Sequence, residues 1–298
     1  MRAFEVFSAK DSQHAVALLA QHAATSKVKV LAGGTDLMAD LKFAPSSHAP
    51  AVVVDISRVD DLRGIKTTKD GLSIGALVTH TEIMRSPIIQ DMFPALVDAA
   101  HTIGAVQTRN LGTLGGNLVT AVPSVDSGPT LVALDALVTL LGPGGKRHIP
   151  LAEFFVGPRK TALKSDELLA EIIIPTENLG KPTHFLKFGL RKGQALALVN
   201  VASSVWVDWD TNTFKAARVA LGAVAPKVIH ATSAEAFLEG RAITPETMEE
   251  AGKLAAGDCK PITDMRASAE YRRDLVAVLT RRTLEGAYAL AKAKRSEK

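Results

Sequence analysis

Apolar positions recur along this chain with two periods, and the alternation between them divides it into units. Phe4-Glu5-Val6-Phe7 alternates as a short strand does. Asp11 is placed to cap a helix running to about His22, with Ala15, Leu18 and Leu19 on its apolar face. Val28 to Leu31 reads as a strand, Asp36 to Leu41 as helical, and Val52 to Ile56 as a buried strand. A small α/β unit is therefore expected over about 1–58. A second unit is expected over 59–176. It has a strand at Leu72 to Ala76, helices at Thr81 to Arg85, Phe93 to Ala100 and Thr130 to Asp135, and a strand at Leu137 to Leu141. Pro143-Gly144-Gly145-Lys146 reads as a hairpin turn leading into His148-Ile149, and Leu168 to Ile174 as a last strand closed by Pro175.

Thr176 to Pro182 is polar, carries Gly and Pro, and reads as a domain linker. Beyond it, Phe185 to Leu190, Val199 to Val207 and Phe214 to Leu221 have the pattern of antiparallel strands, with a turn over Asp208 to Asn212. Ser233 to Leu238, Pro245 to Leu254 and Tyr271 to about Lys292 follow as helices. The fold class is α+β, with a separate unit over 183–298.

Composition narrows the chemistry. The 298 residues are 47% hydrophobic and 22% charged, as in an ordinary globular protein. No apolar run is long enough for a membrane span, and the first thirty residues lack the pattern of a secretory leader, so a cytoplasmic protein is expected. The single cysteine, Cys259, cannot build a disulfide framework, a zinc site or an iron–sulfur cluster, and reads as a half-buried small residue. The net charge of +4 is scattered, apart from the tail from Lys292 to Lys298, which reads as a frayed, solvated helix end and not as a nucleic-acid arm. The histidines form no HxxxH or HExxH pair, so no metal site is expected, and His80 and His101 read as structural. There is no GxSxG elbow, no GxGxxG spacing and no P-loop. No catalytic residue is assigned.

Two glycine clusters remain: Gly33-Gly34-Thr35-Asp36, and Asn110-Leu111-Gly112-Thr113-Leu114-Gly115-Gly116-Asn117. Each follows an apolar stretch and mixes glycine with hydroxyl or amide side chains. Glycine permits tight turns and close approach to a ligand, and consecutive backbone N–H groups make a concave anion site. Two such loops point to one phosphate-bearing cofactor, which would itself do the chemistry. Asp126 can accept hydrogen bonds from ribityl or ribose hydroxyls or a ring N–H, or it can cap the helix near Thr130.

Five segments taken together carry a resemblance: Ala32 to Asp36, Gln107 to Asn117, Pro123 to Asp126, Asp166 to Pro175, and Ala220 to Pro226. In order and spacing they resemble the FAD-binding medium subunit of the molybdenum hydroxylases, the family of carbon monoxide dehydrogenase and xanthine dehydrogenase. The resemblance implies a PCMH-type FAD-binding fold over 1–176, with FAD between two α/β subdomains, and a C-terminal domain of antiparallel sheet and helices over 183–298. It implies that Ala32, Gly33, Gly34, Thr35 and Asp36 form the first pyrophosphate loop. Thr113, Gly115, Gly116 and Asn117 would form the second, with Thr120 close behind. Asp126 would lie on the sugar-chain side of the flavin, Leu169 beside the flavin or adenine, and Lys187 near the cofactor.

The same resemblance implies a large molybdenum-cofactor subunit and a small [2Fe–2S] subunit as partners, arranged as a dimer of heterotrimers. Electrons would pass from the clusters to FAD and on to NAD⁺ or a quinone-type acceptor. The chain lacks the cysteine-rich insertion that holds an extra [4Fe–4S] cluster in aryl-CoA reductases of the hydroxybenzoyl type. Neither glycine loop contains histidine, so non-covalent FAD is expected. Two other readings stand beside this one. A self-sufficient flavin oxidoreductase would need a catalytic base, and none is evident. A cofactor-free assembly subunit would not need intact glycine loops.

Overall fold

A computed structural model describes residues 3–43 and 49–296. The first subdomain is built from β1 (Glu5–Ser8), α1 (Ser12–Ala23), β2 (Val28–Leu31), α2 (Leu37–Phe43) and β3 (Val52–Asp55). Its three strands are parallel in the order β1-β3-β2. The central strand is the most apolar because both its edges and both its faces are covered, and Val52, Val53 and Val54 are buried. The Asp11 carboxylate caps α1 by accepting the His14 N–H at 2.7 Å.

The second subdomain opens with β4 (Ile65–Thr68) and β5 (Gly71–Gly75). Helices α3 (His80–Arg85), α4 (Pro87–Met92), α5 (Pro94–His101), α6 (Val106–Leu111), α7 (Leu114–Thr120) and α8 (Ser127–Ala133) follow. Strands β6 (Leu137–Gly142) and β7 (Gly145–Pro150), helix α9 (Leu151–Phe154), and strands β8 (Phe155–Gly157), β9 (Lys160–Thr161) and β10 (Leu168–Pro175) complete it. A five-stranded antiparallel sheet runs β4-β5-β10-β6-β7. Alternation puts Leu72, Ile74, Ile172, Ile174, Val138 and Leu140 on one face, where they join Phe93, Leu96, Leu118 and Phe154 in the largest core.

Two of these helices occupy the second glycine cluster, which the sequence suggests is a loop. Glycine is a poor helix former, so local propensity argues against α7. Tertiary packing overrides it. A Cβ on Gly115 would come within 2.6 Å of the Ala76 Cβ, so only glycine lets this helix lie against the end of β5. The Thr113 hydroxyl caps α7 by accepting the Gly116 N–H at 3.1 Å. Helix α4 is also absent from the sequence pattern. It is a single short segment opened by the Ser86 cap and Pro87.

In the C-terminal unit, β11 (Thr183–Phe188), β12 (Val199–Asp208), β13 (Thr213–Gly222) and β14 (Ile229–His230) form an antiparallel sheet in that order. Helices α10 (Thr232–Leu238), α11 (Pro245–Asp258) and α12 (Ala269–Ser296) cover it. Two expectations need correction here, the frayed end of α12 and the half-buried Cys259, while the expected linker over 176–182 is packed against both units. The Asn178 amide donates to the Leu134 carbonyl at 3.0 Å, and the Lys181 ammonium to the Ala216 carbonyl at 2.7 Å, so its polar groups clamp both neighbours. Lys181 is only 1% exposed, and burial lowers its pKa to about 8. The end of α12 is not frayed: Lys292 sits over the Tyr288 ring and Arg295 over Trp209, while Glu297 and Lys298 lie outside the described residues. Cys259 is fully buried, its thiol donating to the Ala256 carbonyl at 3.1 Å.

Candidate cofactor site

The two glycine clusters meet face to face. β2 delivers Ala32 and Gly33 to the start of α2. A Cβ on Gly33 would lie 1.8 Å from the Leu111 carbonyl oxygen, so this glycine is required by the opposite loop and not by a ligand. Gly34 turns the chain with φ +73, a left-handed conformation that suits glycine. On the other side, the Leu114 and Gly115 N–H groups donate to the Val78 and Ala76 carbonyls at 2.8 and 2.9 Å. Gly112 and Asn117 N–H groups are likewise donated, to Thr108 and Thr113 carbonyls.

The two loops differ in how their N–H groups are spent. The second was expected to offer a row of free N–H groups, but its donors from Gly112 and from Leu114 to Asn117 are used internally. For the N–H groups of Gly33, Gly34, Thr35 and Asp36, no acceptor is found among the described residues. Among the described residues the unspent N–H groups are therefore concentrated in the first loop, and the second, apart from the Thr113 N–H, lines the cleft with the side chains of Thr113, Asn117 and Thr120.

Between them lies a cleft of about 960 Å³, at the large end of the range for ligand sites, about 300–1,000 Å³. Of the residues singled out from the sequence, Ala32 to Asp36 line it, as do Thr113, Gly115, Gly116, Asn117, Thr120, Asp126 and Leu169. Across the cleft, Thr120 reaches Asp36 at 3.4 Å and Arg159 reaches Asp40 at 3.2 Å.

Lys187 does not reach the cleft wall. It stands behind Asp126, with its ammonium 2.6 Å from the Asp126 carboxylate and 3.2 Å from the Thr102 carbonyl. Asn200 supports the same aspartate, donating at 3.3 Å to Oδ1 and at 3.1 Å to the Val125 carbonyl. Asn200 Oδ1 is buried without a partner, and Gly222 leaves it room, since a Cβ there would come within 2.1 Å. Burial drives the Asp126 pKa up to about 6, against the opposing charge and hydrogen bonds of Lys187 and Asn200. Although it precedes α8, its side chain makes no cap bond. Asp126 is thus a braced acceptor facing the cleft.

Other wall residues carry no sequence signal of their own. Ile103 and Gly104 come from the turn after α5, Gln194 and Leu196 from the loop between β11 and β12, and His80 from the start of α3. The Gln194 N–H reaches the Gly104 carbonyl at 3.4 Å, so the C-terminal unit helps close the cleft. His80 is buried, and burial together with the Arg109 charge lowers its pKa to about 4. Among the described residues there is no cluster of three potential metal ligands, and no helix is long and apolar enough to cross a membrane. Open N–H groups, hydroxyls, one braced carboxylate and apolar walls fit a long ligand with a phosphate-bearing middle and an apolar ring.

Comparison with known proteins agrees with this chemistry. Residues 2–177 match the model of the FAD binding domain in molybdopterin dehydrogenase, and residues 184–287 that of the CO dehydrogenase flavoprotein C-terminal domain. The chain is 33% identical over 288 residues to the carbon monoxide dehydrogenase medium chain of Hydrogenophaga pseudoflava, covering 96% of this chain and 97% of that one. It is also 33% identical to the nicotinate dehydrogenase FAD-subunit of Eubacterium barkeri, over 93% of each chain. The solved carbon monoxide dehydrogenase of Hydrogenophaga pseudoflava superimposes with a TM-score of 0.90, covering 97% of this chain and 98% of that one at 33% identity. Quinoline 2-oxidoreductase of Pseudomonas putida 86 superimposes with a TM-score of 0.88, covering 97% and 99% at 28% identity.

Proposed function

Since this chain belongs to the family of FAD-binding medium subunits of molybdenum hydroxylases, we propose that it is the FAD-carrying electron-transfer subunit of a multi-subunit dehydrogenase. The observation that carries this reading is the cleft itself. It has an open anion cradle and a braced acceptor, yet among the described residues no nucleophile–base pair that would process a substrate. FAD, when bound, supplies the redox chemistry that no side chain here provides.

The chain's own residues bind and orient. The N–H groups from Gly33 to Asp36 hold the pyrophosphate, and the hydroxyls of Thr35, Thr113 and Thr120 add hydrogen bonds. Gly115 and Gly116 let α7 approach, and Asn117 closes that end. Asp126 accepts from the sugar-chain hydroxyls, held in place by Lys187 and Asn200. Leu169 and Ile103 provide apolar wall. FAD is held without a covalent bond, because neither glycine cluster presents a histidine. The two FAD-holding subdomains are 1–58 and 59–176, and 183–298 is the C-terminal domain.

Electrons arrive from [2Fe–2S] clusters on a small partner, fed by a molybdenum cofactor on a large one, and leave to NAD⁺ or a quinone-type acceptor. The assembly is a dimer of heterotrimers in the cytoplasm. Among the relatives, one is named for carbon monoxide and another for nicotinate, which fits a substrate chosen by a different subunit. Reconstitution tests this. Acid precipitation is expected to release all the flavin as FAD. The flavin is expected to be reduced by a hydroxylation substrate only after the molybdenum and [2Fe–2S] subunits are added. Substrate-driven reduction of the chain alone, free of molybdenum and iron, at catalytic rates would overturn the proposal in favour of a self-sufficient flavoenzyme.

A further inference from the structure

Of the ionisable side chains in the cleft wall, His80 is the most deeply buried. His80 begins α3 directly after Thr79, whose hydroxyl caps that helix by accepting the Glu82 N–H at 3.2 Å. Thr79 pairs with Thr113 in an isolated bridge, and the His80 N–H donates to the Gly112 carbonyl at 3.1 Å. The backbone is therefore fixed at the seam between the two glycine clusters. The ring lies at the same seam. Its Cδ2 lies 3.5 Å from the point a Cβ on Gly112 would occupy, and the Thr35 hydroxyl lies 3.4 Å from the same point. His80 and Thr35 thus converge on one spot beside the open N–H groups of the first loop.

The residue is 2% exposed, yet it forms part of the cleft wall. Its Nδ1 is buried and has no hydrogen-bond partner. A buried N–H with nothing to donate to is rarer in native structures than an unmet acceptor. The tautomer with Nδ1 bare and the proton on Nε2 is the one that leaves no orphaned donor at Nδ1. Burial and the neighbouring Arg109 keep the ring neutral at ordinary pH. With Nδ1 sealed off, Nε2, bonded to the Cδ2 that lies beside Gly112, is the nitrogen left to meet a ligand.

We propose that His80 is a cofactor-binding residue, a neutral imidazole whose Nε2–H donates a hydrogen bond beside Gly112 to the pyrophosphate of the bound dinucleotide. The inference rests on the FAD reading and adds a donor to it. A neutral donor suits this position, because a cation would sit buried against Arg109 before the anion arrived.

The test uses the full chain stripped of flavin, with FAD and riboflavin as probes. Riboflavin has no phosphate. His80→Phe is expected to weaken FAD binding by about 10- to 100-fold, the value of one hydrogen bond to a charged group, while riboflavin binding stays within about twofold. His80→Gln, which restores a donor, is expected to recover most of the FAD affinity. Nitrogen-15 NMR of histidine-labelled wild type needs no variant. It is expected to show the Nε2–H tautomer for His80 and a shift of that resonance on adding FAD. Equal losses for FAD and riboflavin, unchanged FAD affinity, or an Nδ1–H tautomer that FAD does not perturb would each overturn the assignment. If wild type itself bound no FAD, the cofactor reading would fail instead.

Discussion

Replacing Gly33 by alanine tests the interlock between the two glycine clusters most directly. The new Cβ would stand 1.8 Å from the Leu111 carbonyl oxygen and 2.5 Å from its carbon, both backbone atoms that no side-chain rotation can move. A carbon and a carbonyl oxygen settle no closer than about 3.3 Å, so the loops must part by roughly 1.5 Å. That movement is resisted on the far side. The Gly112 carbonyl is held by the His80 N–H at 3.1 Å, and the Gly112 N–H is held by Thr108. Overpacking a rigid contact of this kind costs about 1–3 kcal/mol, and a backbone clash belongs at the upper end. For a chain of this size that is a fall in Tm of roughly 2–5 °C, with the upper end expected. The same displacement carries the open N–H groups of the first loop out of hydrogen-bonding range, so the variant is expected to lose its flavin on gel filtration. Thermal melts and flavin absorbance per mole of protein measure both effects. Gly144→Ala is the control: a Cβ there meets nothing within 4 Å, and its Tm should stay within about 1 °C of wild type. A Gly33→Ala protein with wild-type Tm and full flavin would refute the interlock.

Other perturbations separate the remaining parts of the site. A Cβ on Gly116 meets only the Thr113 cap hydroxyl, at 2.9 Å, and the branches of Gly116→Val add bulk at the cleft wall, so circular dichroism should report a folded chain with an intact C-terminal domain while flavin content falls to near zero. Lys187→Met leaves the buried Asp126 carboxylate without its counter-ion, and urea unfolding should show a loss of about 3–5 kcal/mol, partly restored by adding Asp126→Asn. The raised Asp126 pKa means that the folded apo-chain keeps a proton the unfolded chain releases. Its stabilising effect is complete below about pH 4 and is lost as pH rises towards 6, so wild-type stability relative to Asp126→Asn should fall by about 3 kcal/mol over that interval. His80 acts in the opposite sense. Its lowered pKa gives a contribution complete above about pH 6.5 and lost as pH falls to 4, so wild type measured against His80→Gln should gain stability with rising pH.

Much of the scaffold is legible from local pattern. Asp11 and the apolar face behind it specify α1, the run from Val52 specifies the central strand β3, and the Pro143–Lys146 turn specifies the hairpin of β6 and β7. Such features depend on residues a few positions apart, so a linear reading captures them. The glycine clusters are legible as places where side chains are unwelcome, but the reasons are not. Gly33 answers to Leu111, Gly115 to Ala76 and Gly222 to Asn200, and each partner is distant in sequence and known only once the chain has folded. The same holds for the free and spent N–H groups of the two loops, for Lys187 standing behind Asp126, and for the polar segment 176–182 that proves to be clamped. Periodicity states which faces are buried; only the tertiary structure decides what each buried or glycine position meets, because steric exclusion and hydrogen-bond satisfaction are settled between segments that the sequence holds apart.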